Sequence, residues 1–248
     1  MELTARQIAD SFRIRGSATI EIVAKNTKGE LPEGAKTHCK KWLKEFLFKR
    51  REELKNKYVA KGNESEEDGF TLMAVQLKLG MVYKNTEKRR NDFASGECDL
   101  HHNKVTYDNK CSWSLDTFPM FETEIPDPKY WWQLQNYSTL WPSEKLWLCY
   151  TLISSSFEAF EDAVRYKPDH NERYKMAERM VYSKAEFELM QHHFFSDATL
   201  DTFVEIPEEK RIKSFEFEPD SDAQKLIETR SYMCREYIYQ LLIKNGYK

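Results

Sequence analysis

The chain has 248 residues, 40% of them hydrophobic and 14% aromatic, with a formal net charge of −3 at pH 7; it can bury one sizeable core, and nothing forces a split into two domains. Its five cysteines (Cys39, Cys98, Cys111, Cys149, Cys234) are odd in number, scattered and without a Cys-x-x-Cys pair, which excludes a disulfide framework or a zinc site and suits a reducing cytoplasm. No run approaches the roughly 18 apolar residues of a membrane span, and the first residues lack a signal peptide's basic start and apolar stretch, so a soluble cytoplasmic protein with no membrane partner is expected.

In chain order, the first strong pattern follows Pro32. Apolar residues at Cys39, Trp42, Leu43, Phe46, Leu47, Leu54 and Tyr58 recur near the 3.6-residue period and predict a long amphipathic helix. From Lys36 to Lys61, ten basic residues (Lys36, Lys40, Lys41, Lys44, Lys49, Arg50, Arg51, Lys55, Lys57, Lys61) stand against three acidic ones (Glu45, Glu52, Glu53). The negative total therefore hides a segregated positive surface of the kind that suits a phosphate backbone, with a solvated helix face as the bland alternative. Gly62 to Gly69 interrupts, and Phe70 to Leu79 resumes a helical pattern, which sets Glu66 near a helix start.

Asp92 to Leu100 and Val105 to Trp113 read as two strands joined by a turn over His101, His102, Asn103 and Lys104. The two adjacent histidines are weak metal-ligand candidates, because neighbouring turn positions seldom aim at one ion. Asp127 and Pro128 form a good helix start, and that helix carries Gln133 and Tyr137 on one face before Trp141-Pro142 stops it. Trp131 and Trp132 could stack on bases, but large aromatics mostly supply core area. Lys145 to Ile153 reads as a strand covered on both sides, Phe157 to Phe195 as helices broken at Lys167-Pro168-Asp169, Arg211 to Phe217 as a strand, and Ser221 onward as an amphipathic terminal helix bearing Leu226, Met233, Tyr237 and Leu241. These elements make an α/β fold, a central mixed sheet flanked by helices.

Residues two apart on a strand share a face, so Asp108 and Lys110 project together, with Asp99 near the end of the preceding strand. Two carboxylates and one amine then converge, which suits phosphodiester hydrolysis: acidic oxygens hold a hard divalent cation and a cationic group stands beside the attacking water. Acid-x-Lys also occurs at Glu53/Lys55, Asp127/Lys129 and Glu208/Lys210, so the triplet alone decides nothing. The upstream Asp99 sets the Asp108 copy apart, and ordinary solvated strand charges are the competing reading.

Over residues 12–155 the chain resembles the phage lambda exonuclease group, the YqaJ-like viral recombinases of the PD-(D/E)XK nuclease superfamily. Lys61-Gly62-x-x-x-Glu66, Cys98-Asp99, Asp108-x-Lys110-Cys111-Ser112 and Tyr130-x-x-Gln133-x-Gln135 carry the likeness, in the group's order. It implies a restriction-endonuclease-like core with N-terminal helices and a C-terminal helix in one domain: a helical DNA-binding part (1–61), a catalytic core (62–155) and a helical extension with the last strand and helix (156–248). It implies Glu66, Asp99 and Asp108 as ligands of Mg²⁺, with Mn²⁺ as a substitute, and Lys110 as the catalytic lysine. Gln133 with Tyr137 matches the Gln-x-x-x-Tyr element of RecB-like nucleases, and Gln135 is the competing choice. Ser17 and Lys25, with Arg13 or Arg15, resemble the segment that receives a DNA 5′-phosphate. The implied activity is 5′→3′ resection of linear duplex DNA in phage recombination, alongside a single-strand annealing protein and in a ring-shaped homotrimer. An endonuclease or nickase of the same superfamily, or a non-catalytic DNA-binding protein on the same fold, are the alternatives. Cys98 stands where proline is usual, and Asp108 where glutamate is commoner.

Overall fold

The computed structural model describes residues 3–24, 29–50, 65–194 and 203–248. The chain opens with α1 (Ala5–Asp10), β1 (Ile14–Arg15), α2 (Thr19–Val23) and α3 (Glu33–Phe48). Thr4 and Gln7 cap α1 reciprocally, each side chain bonding the other's backbone N–H. After Phe48 the backbone turns left-handed at Lys49 (φ 53°). The expected continuation of this helix through Leu54 to Tyr58, with Arg51, Lys55, Lys57 and Lys61, lies outside the described residues.

Next come α4 (Glu66–Gln76), β2 (Arg89–Arg90), β3 (Ala94–Gly96), β4 (Leu100–His102) and β5 (Val105–Cys111). The predicted single strand from Asp92 to Leu100 is thus two strands in two sheets. Asn85 is the cause, since its backbone N–H donates to the Asp99 carbonyl (2.7 Å) and its Nδ2 to the Cys98 carbonyl (2.9 Å). Those bonds turn the chain out of one ladder and into the next. The β4–β5 turn is tighter than expected: Asn103 (φ 49°) and Lys104 (φ 62°) form a two-residue loop, while His101 and His102 belong to β4, paired with Thr106 and Val105.

The remaining elements follow the predicted order. They are α5 (Pro128–Ser138), β6 (Lys145–Thr151), α6 (Phe157–Val164), α7 (His170–Met180), α8 (Lys184–Phe194), β7 (Ile212–Phe217) and α9 (Ser221–Lys244). Asp127 caps α5 by accepting from the Lys129 N–H, and Asp220 caps α9 by accepting from those of Asp222 and Ala223. Trp132 packs on the N-terminal core and meets Trp131 edge-on, as a packing role requires.

The main sheet has the order β4-β5-β6-β7, and a small one has the order β1-β3-β2. β5 pairs antiparallel with β4 and parallel with β6, and β6 pairs antiparallel with β7, so the sheet is mixed as expected. One face packs on α5 through Leu134, Tyr137, Leu146, Leu148 and Phe215, and the other on α4 through Phe70, Met73, Tyr107 and Cys149. Each buried leucine contributes about 1.5–3 kcal/mol. A separate cluster ties α1, α2 and α3 to α9, and another joins α6, α7 and α8. Among the described residues no helix is long and apolar enough to cross a membrane.

Gly69 sets how closely α4 approaches the sheet. A Cβ there would stand 2.5 Å from Cys111 Sγ and 2.7 Å from both Asn109 Nδ2 and Thr151 Oγ1. Helix propensity alone favours alanine over glycine by about 1 kcal/mol, whereas overpacking costs about 1–3 kcal/mol. Gly69→Ala is therefore expected to lower stability in urea unfolding, and an unchanged or higher midpoint would contradict this packing.

Candidate active site

Alternation along β5 sends Asp108 and Lys110 toward α5, while Asn109 and Cys111 face α4. Asp108 is 2% exposed. Its Oδ1 accepts from Gln133 Nε2 at 3.2 Å, and its Oδ2 lies 2.6 Å from Lys110 Nζ. That ion pair is close but poorly aligned, and no hydrogen bond of good geometry reaches Oδ2. Gln133 Nε2 also donates to the Tyr137 hydroxyl at 2.9 Å. One turn of α5 separates the two residues, so both reach the same point of the sheet.

Asp99 immediately precedes β4. Leu100 pairs with Tyr107, and extending that register by one residue sets Asp99 across from Asp108. Its Oδ2 accepts from the Asn109 backbone N–H at 2.6 Å, standing in for a ladder carbonyl. Burial, and then the neighbouring Asp108, push the Asp99 carboxyl up to about 6. Burial alone would pull the Lys110 ammonium down, but Asp108 and Asp99 outweigh it and hold the group above its ordinary value.

Two carboxylates thus share one ammonium in an enclosed place, and one buried carboxylate oxygen lacks an aligned donor. The donor set is one that a divalent cation fits, and Asp99 and Asp108 would be its carboxylate ligands. Glu66, expected as a third ligand, is near enough for its charge to help raise the Asp99 carboxyl but does not form a three-carboxylate group with the pair. It begins α4 with its side chain 46% exposed and its carboxylate 2.6 Å from Lys84 Nζ. Among the described residues no group of three or more His, Cys, Asp or Glu side chains could hold a metal. His101 and His102 are engaged elsewhere, with Thr106 Oγ1 (3.0 Å) and Asn103 Nδ2 (2.9 Å).

Beside this group lies a cavity of about 440 Å³, lined by Arg15, Gly16, Ser17, Lys88, Arg89, Arg90, Gly96 and Tyr137 among others. Arg15 and Ser17 therefore do come together. Three of the four lining cations stand against a carboxylate, Arg15 3.7 Å from Glu45, Lys88 3.8 Å from Glu97 (itself on the cavity wall) and Arg89 2.8 Å from Glu87, so the surplus of positive charge there is that of Arg90. Of the two arginines singled out, Arg15 lines this cavity, whereas Arg13 gives its guanidinium to the carbonyls of Asp10, Phe12 and Asn91. Lys25 lies outside the described residues. Gln135, expected as a DNA contact, is fully buried, donates to the Glu218 carbonyl (3.0 Å) and accepts from the Asp220 N–H (2.8 Å). The sequence reading missed Lys88-Arg89-Arg90. Its one available signal was three consecutive cations between turn residues. On α3, Lys40, Lys41 and Lys44 are exposed, as the amphipathic pattern required.

The fold occurs in known structures. A phage-related exonuclease from Haemophilus somnus 129PT matches with a TM-score of 0.74 at 24% identity, over 95% of this chain and 97% of that one. An alkaline exonuclease (LHK-Exo) from Laribacter hongkongensis matches at 0.60 and 11% identity, over 94% of this chain and 93% of that one. LHK-Exo in complex with dAMP matches at 0.59 and 14% identity, over 98% of this chain and 96% of that one. No family model and no curated protein matches the chain. The chain has the α/β fold of these exonucleases, in keeping with the resemblance read from its motifs.

The raised Asp99 carboxyl predicts a pH-dependent stability. Below about pH 4 the group is protonated in both folded and unfolded chains and contributes nothing; between about 4 and 6 the unfolded chain ionises first, and the folded state loses stability as pH rises. Asp99→Asn, unfolded by urea in EDTA, should therefore be more stable than the parent at pH 7, by on the order of 2–3 kcal/mol, with the difference fading toward pH 4. A difference independent of pH would contradict the raised value.

Proposed function

We propose that this protein is a Mg²⁺-dependent DNA exonuclease that hydrolyses phosphodiester bonds from the ends of linear duplex DNA, in the 5′→3′ direction. One juxtaposition carries the reading: Asp99, Asp108 and Lys110 converge, and Tyr137, in the same hydrogen-bond chain, forms a wall of the adjoining basic cavity. The names of the structural neighbours, exonucleases in each case and one with dAMP bound, support it.

Asp99 and Asp108 would hold the cation, and Mn²⁺ could replace Mg²⁺. A bound divalent cation supplies Lewis acidity at the phosphoryl oxygen and a water acidic enough to attack near neutral pH. Lys110 keeps a positive charge beside the reacting phosphorus and offsets the charge that builds on the pentacovalent phosphate. Gln133 holds the Asp108 carboxylate in one orientation, and the Asn109 N–H does the same for Asp99. Glu66 pairs with Lys84 through one carboxylate oxygen, and its other oxygen is the one that would turn to the cation. Arg15, Ser17 and the Lys88-Arg89-Arg90 run would supply charge-assisted hydrogen bonds to a terminal 5′-phosphate dianion. The exposed lysines of α3 neutralise backbone phosphates farther along the duplex. The resemblance extends the proposal to a single-strand annealing partner and a homotrimer.

Two variants test the two halves of the site. Asp108→Asn should abolish hydrolysis of linear duplex with Mg²⁺ while leaving duplex binding in EDTA intact; cleavage at the parent rate would overturn the metal assignment. Arg15→Ala should remove any preference for 5′-phosphorylated over 5′-hydroxyl ends, whereas Arg13→Ala should keep the preference and lose stability. The reverse pattern would move the terminal phosphate away from this cavity.

A further inference from the structure

The Tyr137 ring is wedged between two glycine backbones. A Cβ on Gly16 would stand 2.6 Å from Tyr137 Cε1, and one on Gly96 would stand 2.5 Å from the same atom. Neither glycine has a positive φ, so backbone freedom is not what they supply; absence of a side chain is. Gly16 joins Arg15 to Ser17, the cation and hydroxyl of the basic cavity, and Gly96 lies three residues before Asp99. A side chain on either glycine would therefore displace the Cε1 edge of the ring, which lies directly against both backbones.

Its far end is committed to the acidic site. The Tyr137 hydroxyl accepts from Gln133 Nε2, and the same nitrogen donates to Asp108 Oδ1. An amide nitrogen has two protons, and here each has a taker. Any displacement of the hydroxyl must then be passed to Asp108 or break a buried hydrogen bond. Trp141 meets the ring edge-on at 6.1 Å between centroids, a further packing contact on the same side chain.

We infer that Tyr137 is a positioning residue that couples occupancy of the basic cavity by a terminal phosphate to the orientation of Asp108. The inference rests on the reading of that cavity as a phosphate site. A dianion drawing Arg15 and Ser17 inward presses Gly16 on the ring, and the ring shifts Gln133 and the carboxylate it holds. A 5′-phosphate then accelerates cleavage of the bound end as well as tightening its binding, which favours correct ends at the chemical step.

The test separates affinity from rate. Linear duplexes with 5′-phosphate or 5′-hydroxyl ends are compared by anisotropy in EDTA and by single-turnover cleavage with Mg²⁺ at saturating enzyme. The parent should show tighter binding of 5′-phosphate ends and a saturated-rate advantage of roughly 5- to 150-fold, the usual size of coupling between two sites. Tyr137→Phe keeps the ring and should keep the affinity ratio, while the rate ratio falls to within about twofold. As a readout without catalysis, 3-fluorotyrosine at position 137 should change its ¹⁹F shift when inorganic phosphate is added in EDTA, and Arg15→Ala should abolish that change. A Tyr137→Phe enzyme with the parent's rate ratio, or a ¹⁹F signal indifferent to phosphate, overturns the coupling. If the parent binds both ends equally, the cavity reading falls and the coupling with it. Unequal binding with equal saturated rates overturns the coupling alone.

Discussion

Asp108 Oδ2 sits 2.6 Å from the Lys110 ammonium, on a strand whose intervening residue uses its backbone N–H to hold Asp99. Two carboxylates and one ammonium in an enclosed position form an electrostatically incomplete group, and such groups cost stability until a further positive charge arrives. The surrounding fold supplies what this costs. β5 lies between β4 and β6, both faces of the sheet are covered, and Leu146 and Leu148 beside it are fully buried. A group of this kind needs rigid neighbours, because carboxylates free to turn away from one another would relieve the repulsion and lose their convergence.

α5 distributes that rigidity. Gln133 and Tyr137 face the carboxylates, Gln135 bonds the turn that starts α9, and Asn136 Nδ2 donates to the Ile14 carbonyl at 3.3 Å. Four of five successive residues thus tie one helix to the acidic site, the C-terminal helix and the strand that leads into the basic cavity. Each buried hydrogen bond contributes only about 1 kcal/mol net, but leaving its partner unsatisfied costs more. The network therefore fixes positions more than it adds stability.

The parts legible in the sequence were those with local causes. Asp127-Pro128 starts α5 by capping chemistry, period-two alternation puts Asp108 and Lys110 on one face, and the terminal helix follows its cap at Asp220. What was not legible depended on distant partners. Asn85 breaks the expected strand at Cys98 and Asp99, and nothing within Asp92 to Leu100 announces that. Gln133 and Gln135 look alike in sequence; only the folded chain sets one against Asp108 and the other against the 218–220 turn. Arg13 and Arg15 likewise differ by which carbonyls lie within reach. Lys88-Arg89-Arg90 carries no hydrophobic period, so its place beside Arg15 became visible only when β2 and β1 flanked β3.

The central claim is that the Asp99, Asp108 and Lys110 group works with a divalent cation on DNA ends. A time course on 5′-phosphorylated linear duplex and on covalently closed circular duplex, each with Mg²⁺ and with EDTA, tests it most directly. The account predicts progressive release of nucleotides from the linear DNA with Mg²⁺, none in EDTA, and an intact circle in both. Release that persists in EDTA, or nicking of the closed circle at a comparable rate, would contradict it.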